Sequence, residues 1–357
     1  MKKIILLTIL LLVFGVSLAY AASPVLFFSD LIDGPRTGWN GSSTKGAAVT
    51  VWGKNFGSSR GSNYITVAGV NLTNDSDYAE WGVTTNNARG LERITFWLNN
   101  NCATGAQTIS VTIGSSTSNT LPFYVRTTGN IRFVDHTNGN NSYNGTQDTY
   151  TSGSNGPWKT LPYARQYITA GDILYIRNGT YTEGDTSPSW RGALLNLYGV
   201  SGTDNNRTAF VGYPGEYPLL DGRTTATRSI IKNYTADEAN TGYIVLSKMK
   251  IYPYYDGVGL LQTSVGYFRV IAIEVDGLDT QPASQWQVGA FDVKDASNVK
   301  IYGCQAHHWG YDKFDHGIYA GGTSTNPVGF DFAWNEIHDL PAAANFGRTQ
   351  PEPSGIY

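Results

Sequence analysis

Along the C-terminal third of the chain, apolar residues fall at alternate positions in short pairs that recur every 31 residues. Phe268 with Val270, Val299 with Ile301, and Phe330 with Phe332 form one set. At a fixed offset come Ile273 with Val275, Cys304 with Ala306, and Asn335 with Ile337. An earlier copy, Ile244 with Leu246 and then Met249 with Ile251, lies 24 residues before the first. Period-two alternation predicts strands, and the three-residue step between pairs predicts a corner where a new strand begins. A third, glycine-led strand closes each turn: Val258-Gly259-Leu260, Val288-Gly289-Ala290, His316-Gly317-Ile318-Tyr319 and Ser354-Gly355-Ile356-Tyr357. A unit this short cannot bury its own apolar face, so the copies must stack. Three short strands per turn predict a parallel β-helix.

Upstream the pattern changes. Residues 48–53, 65–67, 94–98 and 108–113 are strand-like runs separated by Gly, Asn and Ser turns, at the spacing of a small β-sandwich. From Ile131 a polar entry loop leads to residues 157–168, where Leu161, Ala164 and Ile168 fall at helical spacing. One amphipathic helix there would act as an N-terminal lid on the solenoid. The expected organisation is therefore all-β: residues 1–21 outside the fold, 22–127 a small β-sandwich, and 128–357 the β-helix.

Two stretches carry family resemblances. Residues 49–57, Val-Thr-Val-Trp-Gly-Lys-Asn-Phe-Gly, resemble the opening strand and turn of the IPT/TIG immunoglobulin-like family. Thr108, Val111 and Thr112, with the run 121–125, match that family's closing strands. The resemblance implies a spacer or binding module. Residues 171–183 and 210–222 are similar to the first turns of right-handed parallel β-helices of the pectate-lyase-like superfamily, bacterial polysaccharide lyases in particular. It implies a right-handed β-helix over residues 131–357. It specifies activity far less, because lyases, hydrolases, epimerases and non-catalytic surface proteins share these phrases.

The chain begins with Lys2 and Lys3, an apolar run from Ile4 to Val16, and Ala19-Tyr20-Ala21, the plan of a cleavable secretory signal. An uncleaved anchor is the alternative, since the run approaches spanning length. No second run is long enough to cross a bilayer, so a secreted, periplasmic or cell-surface protein is expected. Forty-one glycines, 23 tyrosines and 15% charged residues suit a turn-rich exported β protein. A net charge of −3 gives no electrostatic footprint for nucleic acid. Cys102 and Cys304 fall in different expected domains; Cys304 shares an interior column with Ile273 and Asn335, so a buried small apolar role is expected rather than a disulfide. The final Gly355-Ile356-Tyr357 reads as the start of a further strand without the terminal cap a solenoid needs, which suggests a fragment of a longer β-helix.

The densest chemistry lies at residues 307–316, with three of the chain's five histidines, two acids, a lysine and three aromatic rings. Stacking the repeats places Asp276, His307 and His338 in one column and Gly277, His308 and Asp339 in the next. Polysaccharide lyases of the kind the resemblance implies work by β-elimination, which needs a base beside the uronate and a cation to neutralise its carboxylate. Lys313 is the candidate base, since a crowded or desolvated lysine titrates low enough to accept a proton. His316 is a second proton-transfer candidate. Asp292, Asp312 and Asp315 are candidate Ca²⁺ ligands. Trp309, Tyr311 and Trp334 could stack on sugar faces, with His307 and His338 completing the substrate-binding set. A solvated loop without a site is the competing interpretation of the same residues. A hydrolase pair, Asp312 with Asp315 or Asp331 with Glu336, is weaker because the carboxylate separation is unknown. Adjacent His307 and His308 would point to opposite faces of a strand, so no zinc-type spacing is expected. The resulting expectation is an exported polysaccharide-binding protein that cleaves a uronic-acid glycan by β-elimination, with Ca²⁺ as a cofactor. The alternative is a non-catalytic, adhesive cell-surface β-helix; a virion spike is disfavoured by the signal peptide.

Overall fold

Alternating β-branched and aromatic residues with polar ones favours pleated strands that bury one face. The computed structural model describes residues 22–85, 90–184, 193–223, 229–233, 241–254, 256–261, 266–278, 289–294, 296–310, 315–321, 328–340 and 354–356. Up to Arg126 the strands form two sheets. One orders Val25–Ser29, Lys45–Lys54, Glu92–Asn99 and Tyr78–Thr84, all antiparallel. The other orders Asp33–Pro35, Leu121–Arg126, Gly105–Ile113, Tyr64–Val67 and Val70–Leu72. Their shared interior holds Val49, Val51, Ile65, Ile94, Phe96 and Val111.

From Ile131 onward every inter-rung pairing is parallel, and three sheets run along a β-helix. The first sheet stacks Ile131–Val134, Ile173–Ile176, Thr208–Gly212, Gly242–Ser247, Gly266–Ile271, Lys300–Tyr302 and Asp331–Ala333. The second stacks Thr180–Tyr181, Leu219–Asp221, Lys250–Tyr252, Glu274–Asp276, Gln305–His307 and Glu336–His338. The third stacks Leu195–Asn196, Ser229–Asn233, Asp256–Leu261, Gly289–Lys294, His316–Gly321 and Ser354–Ile356. Leu246, Val270 and Ile301 form one interior column, and Ile251, Val275 and Ala306 another, all fully buried.

Single residues make the corners. Lys248, Ala272, Gly303 and Trp334, one per rung, turn the first sheet into the second with φ of 57°, 51°, 63° and 57°. A left-handed conformation costs a non-glycine residue roughly 1–2 kcal/mol, so the stacked rungs on either side must hold each corner in place. At Gly303 a second constraint applies, because a Cβ there would meet the Phe28 ring at 2.8 Å. Beside the corner, the Asn335 amide donates to the Ile301 carbonyl and accepts the Cys304 N–H. Cys304 and Cys102 are both buried and free.

Two expectations need correction. The helix spans only Leu161–Arg165. Leu161, Ala164 and Ile168 still pack into the solenoid core with Trp158, but residues 166–168 leave the helix before a second turn forms. In the third sheet Gly289 pairs with His316, while Val258, Phe291 and Ile318 share a column. The leading glycines are therefore out of register: Gly259 pairs with Asp292, three residues past Gly289, and Gly289 pairs with His316, one residue before Gly317. Gly257 is the residue packed against the next rung, where a Cβ would approach the Ala290 carbonyl to 2.4 Å.

The sandwich core extends onto the outer face of the solenoid. Outward positions of the first four rungs of the first sheet, Ile131, Phe133, Ile173, Tyr175, Ala209, Val211 and Val245, belong to the sandwich's apolar cluster. The Tyr175 hydroxyl accepts the Ala48 N–H and donates to the Ala48 carbonyl, both at 2.8 Å. Lys248, fully buried, donates to Thr50 Oγ1 at 2.8 Å and lies 3.5 Å from Asp30. Among the described residues no helix is long and apolar enough to cross a membrane.

Candidate functional site

On a β-helix the interior is filled with side chains, so chemistry belongs on outward columns and beside corners. The described residues carry three concentrations of polar and aromatic groups there.

The first is on the second sheet. Pairing puts Asp276 opposite His307 and His307 opposite His338, with Lys250 opposite Glu274 in the neighbouring column. Lys250 Nζ reaches Glu274 at 2.8 Å and Asp276 Oδ2 at 3.3 Å. Burial alone would lower the Lys250 pKa, but the Glu274 hydrogen bond and charge outweigh it and hold the ammonium well above its usual range. Burial likewise pushes Glu274 up, and hydrogen bonds from His307 and Lys250 pull it below the ordinary carboxylate value. His307 Nε2 lies 3.1 Å from Glu274 Oε1, and that bond raises the imidazole's pKa against the effect of burial.

His308 does not point to the opposite face. As a corner residue with φ 48°, it escapes strand alternation and turns its ring back beside its neighbour. His307 Nδ1 and His308 Nδ1 are 2.9 Å apart. His338 stacks on His307 with centroids 5.0 Å apart and planes 3° from parallel, and bonds Asp339 at 2.8 Å.

The second concentration is on the third sheet. Asp292 lies in register with Gly259 and Tyr319, and the His316 ring stacks on Tyr319 at 5.4 Å. Lys232, Asp256, Asp315 and His316 are all buried on this flank. Burial lowers the His316 pKa, which favours the neutral, proton-accepting imidazole. Lys313, Asp312 and Tyr311 lie outside the described residues.

The third is a cleft of about 420 Å³ where the sandwich meets the first sheet, and its residues were not among those expected from sequence. Arg207, Arg269, Lys300, Tyr124, Tyr267 and Asn298 line it. Tyr267 stacks on Tyr243 of the preceding rung, centroids 4.6 Å apart and planes 5° from parallel, and Arg207 sits over Tyr243 at 5.2 Å. Tyr243 and Tyr267 recur 24 residues apart, at the interval of Ile244 and Phe268, so the repeat itself carried the signal.

Two expected sugar platforms are placed elsewhere. Trp309 is fully buried in the solenoid core, because after the His308 corner its ring turns inward. Trp334 packs on Phe27 at 5.2 Å and on Phe28 at 5.1 Å, which engages its ring with the sandwich and leaves it partly buried. The structure brings His307 and His338 together; Asp292 and His316 share the other flank.

No protein-family model matches the chain, and no curated protein matches it. Among solved structures, a protein described as rhamnogalacturonan lyase is similar over 58% of this chain and 51% of its own, at 17% identity and a TM-score of 0.36. The chain thus spans about half the length of that protein.

Proposed function

We propose that the chain is an exported protein that binds an acidic polysaccharide, with an immunoglobulin-like module of the IPT/TIG type fused to a β-helix. The observation that carries this reading is the cleft at the junction. A uronate polymer presents carboxylates along a chain of sugar rings with apolar faces. Guanidinium and ammonium groups match the carboxylates, and an exposed tyrosine ring matches a sugar face. Arg207, Lys300 and Tyr267, the last braced from outside the cleft by its stack on Tyr243, provide both within one concave surface. Lys300 is half-exposed and only loosely paired with Asp331, at 3.7 Å, so a ligand carboxylate can compete for it.

For the chemical step, β-elimination is the reading we favour. His316, neutral through burial, serves as a proton acceptor together with Lys313, and Asp292, Asp312 and Asp315 supply hard oxygens for Ca²⁺. A non-catalytic adhesive role is the alternative, favoured by the apolar cluster that joins the sandwich to the solenoid's outer face. Titrating the protein with oligogalacturonate and with a neutral oligosaccharide of equal length tests the binding claim. Binding should be selective for the acidic ligand and weaken at least tenfold in Tyr267→Ala; equal affinity for both ligands would overturn it. Ultraviolet absorbance of the unsaturated uronate, followed with and without Ca²⁺, separates a lyase from an adhesin.

A further inference from the structure

On the second sheet, one carboxylate and two imidazoles converge where strand alternation would have kept the imidazoles apart. Asp276 Oδ1 is 3.2 Å from His308 Nδ1 and 3.6 Å from His307 Nδ1, and the two ring nitrogens are 2.9 Å from each other. These three atoms form a near-equilateral triangle. A tetrahedral ion with ligands at about 2.0–2.1 Å has ligand–ligand edges of about 3.3 Å, and the three edges here, 2.9, 3.2 and 3.6 Å, bracket that value. We infer that Asp276, His307 and His308 form a binding site for a divalent transition-metal ion of the zinc class.

The atoms around the triangle are arranged as outer partners of such a site. His307 uses Nε2 toward Glu274 Oε1 at 3.1 Å, which leaves Nδ1 as the lone-pair nitrogen. A metal-bound histidine usually hands its other N–H to a carboxylate in this way. Glu274 is in turn fixed by Lys250 Nζ at 2.8 Å. The same ammonium holds Asp276 Oδ2 at 3.3 Å, so that Oδ1 is the oxygen presented to the histidines. His338, stacked on His307, limits ring rotation.

Ligand chemistry selects the ion. Two imidazoles and one carboxylate suit Zn²⁺, Co²⁺ or Ni²⁺, whereas Ca²⁺ requires six or more oxygens. Asp276 and His307 side chains are 7% and 12% exposed, while His308 is 41% exposed. The fourth tetrahedral position therefore faces solvent and takes a water or an anionic oxygen, the plan of an open rather than a closed site. This site lies apart from the junction cleft and does not depend on the polysaccharide reading.

The test uses the tag-free full chain, stripped with chelator and titrated calorimetrically with Zn²⁺. Co²⁺ absorption in the visible reports the coordination geometry. His308→Gly is the informative ligand variant, because glycine keeps the left-handed corner without strain; His307→Gln is the second. The site predicts one Zn²⁺ per chain, an intense tetrahedral Co²⁺ spectrum, loss of both in either variant, and a 10–100-fold weaker affinity in Glu274→Gln. A chain that takes up no Zn²⁺, or binds it equally in both ligand variants while keeping wild-type circular dichroism, would overturn the inference and leave a hydrogen-bonded corner.

Discussion

The first and second sheets of the solenoid are built from the same repeat, yet their outer faces have opposite fates. On the first sheet the outward column runs Ile131, Ile173, Ala209, Val245 and then Arg269, Lys300, Asp331. Its apolar half is sealed by the sandwich, and its first charged residue is still caught there: Arg269 donates to the Ser29 carbonyl at 2.7 Å. Burial holds that guanidinium down at about 10. On the second sheet the outward columns carry Lys250, Glu274, His307 and His338, partly hydrated, around a buried Asp276. Ionic groups under the sandwich, Arg269 and the corner residue Lys248, therefore act in a desolvated interior, where losing a partner is costly, while Lys300 and Asp331 beyond it stay half-exposed. On the second face the same groups are available to a ligand.

The largest effect expected from this contrast is at Asp30. Its Oδ1 accepts N–H groups of Leu31 and Thr50, and its carboxylate is the counter-charge of fully buried Lys248. Asp30→Ala strands an ammonium in the interior and should cost about 3–5 kcal/mol, as removal of one partner of a buried pair does. Asp30→Asn keeps an acceptor and should cost less. Urea unfolding measures both; a loss under about 1 kcal/mol for the alanine variant would mean the junction is wet.

Next in size is a pH effect at Asp33, which Arg126 approaches at 3.1 Å and to which the Arg207 backbone N–H donates. Burial outweighs these partners and raises its carboxyl to about 6 from 3.8. A folded-state value above the unfolded one means that the folded chain holds the proton more tightly. The contribution is thus fully present below about pH 4 and lost as pH rises through about 6. At 1.36 kcal/mol per unit the swing is about 3 kcal/mol. Asp33→Asn should flatten that limb of the stability–pH curve, and an unchanged limb would exclude Asp33 as its source.

The contrast between the faces was partly legible in the chain. The 31-residue alternation placed the inward columns and the pairing of Asp276, His307 and His338. Apolar residues at outward positions, such as Phe133, Tyr175 and Val211, also mark the docked face, since an exposed solenoid flank needs none. What alternation cannot carry is the direction of a corner residue. Lys248, His308 and Trp334 all have positive φ, so their side chains leave the two-sided pattern. One enters the sandwich, one returns to its neighbour, and one stacks on Phe27 and Phe28. The glycine-led strands misled for a related reason: in Gly289 the phrase is repeated but the pairing register is shifted.

The smallest effect sharpens the comparison most. Lys250→Met removes an ammonium that touches two carboxylates, as Asp30→Ala removes a carboxylate that faces one ammonium. On the second sheet, however, the Lys250 and Glu274 side chains are 28% and 31% exposed, so water replaces what Glu274 loses, while buried Asp276 keeps the Leu278 N–H and the His308 ring as partners. Methionine keeps most of the aliphatic stem against Tyr252, whose ring centroid lies 5.0 Å from Nζ. Unfolding free energy should therefore change by less than about 1 kcal/mol. The affinity for Zn²⁺ should still fall, because Glu274 and Asp276 Oδ2 lose their common anchor. A variant as destabilised as Asp30→Ala would show that the second face is as dry as the first. One stable but unaltered in Zn²⁺ affinity would remove Lys250 from the positioning of the site. Stability and ligand affinity should thus separate where Lys250 and Glu274 remain in contact with water, and stay coupled at Asp30 and Lys248, where the sandwich has closed over the pair.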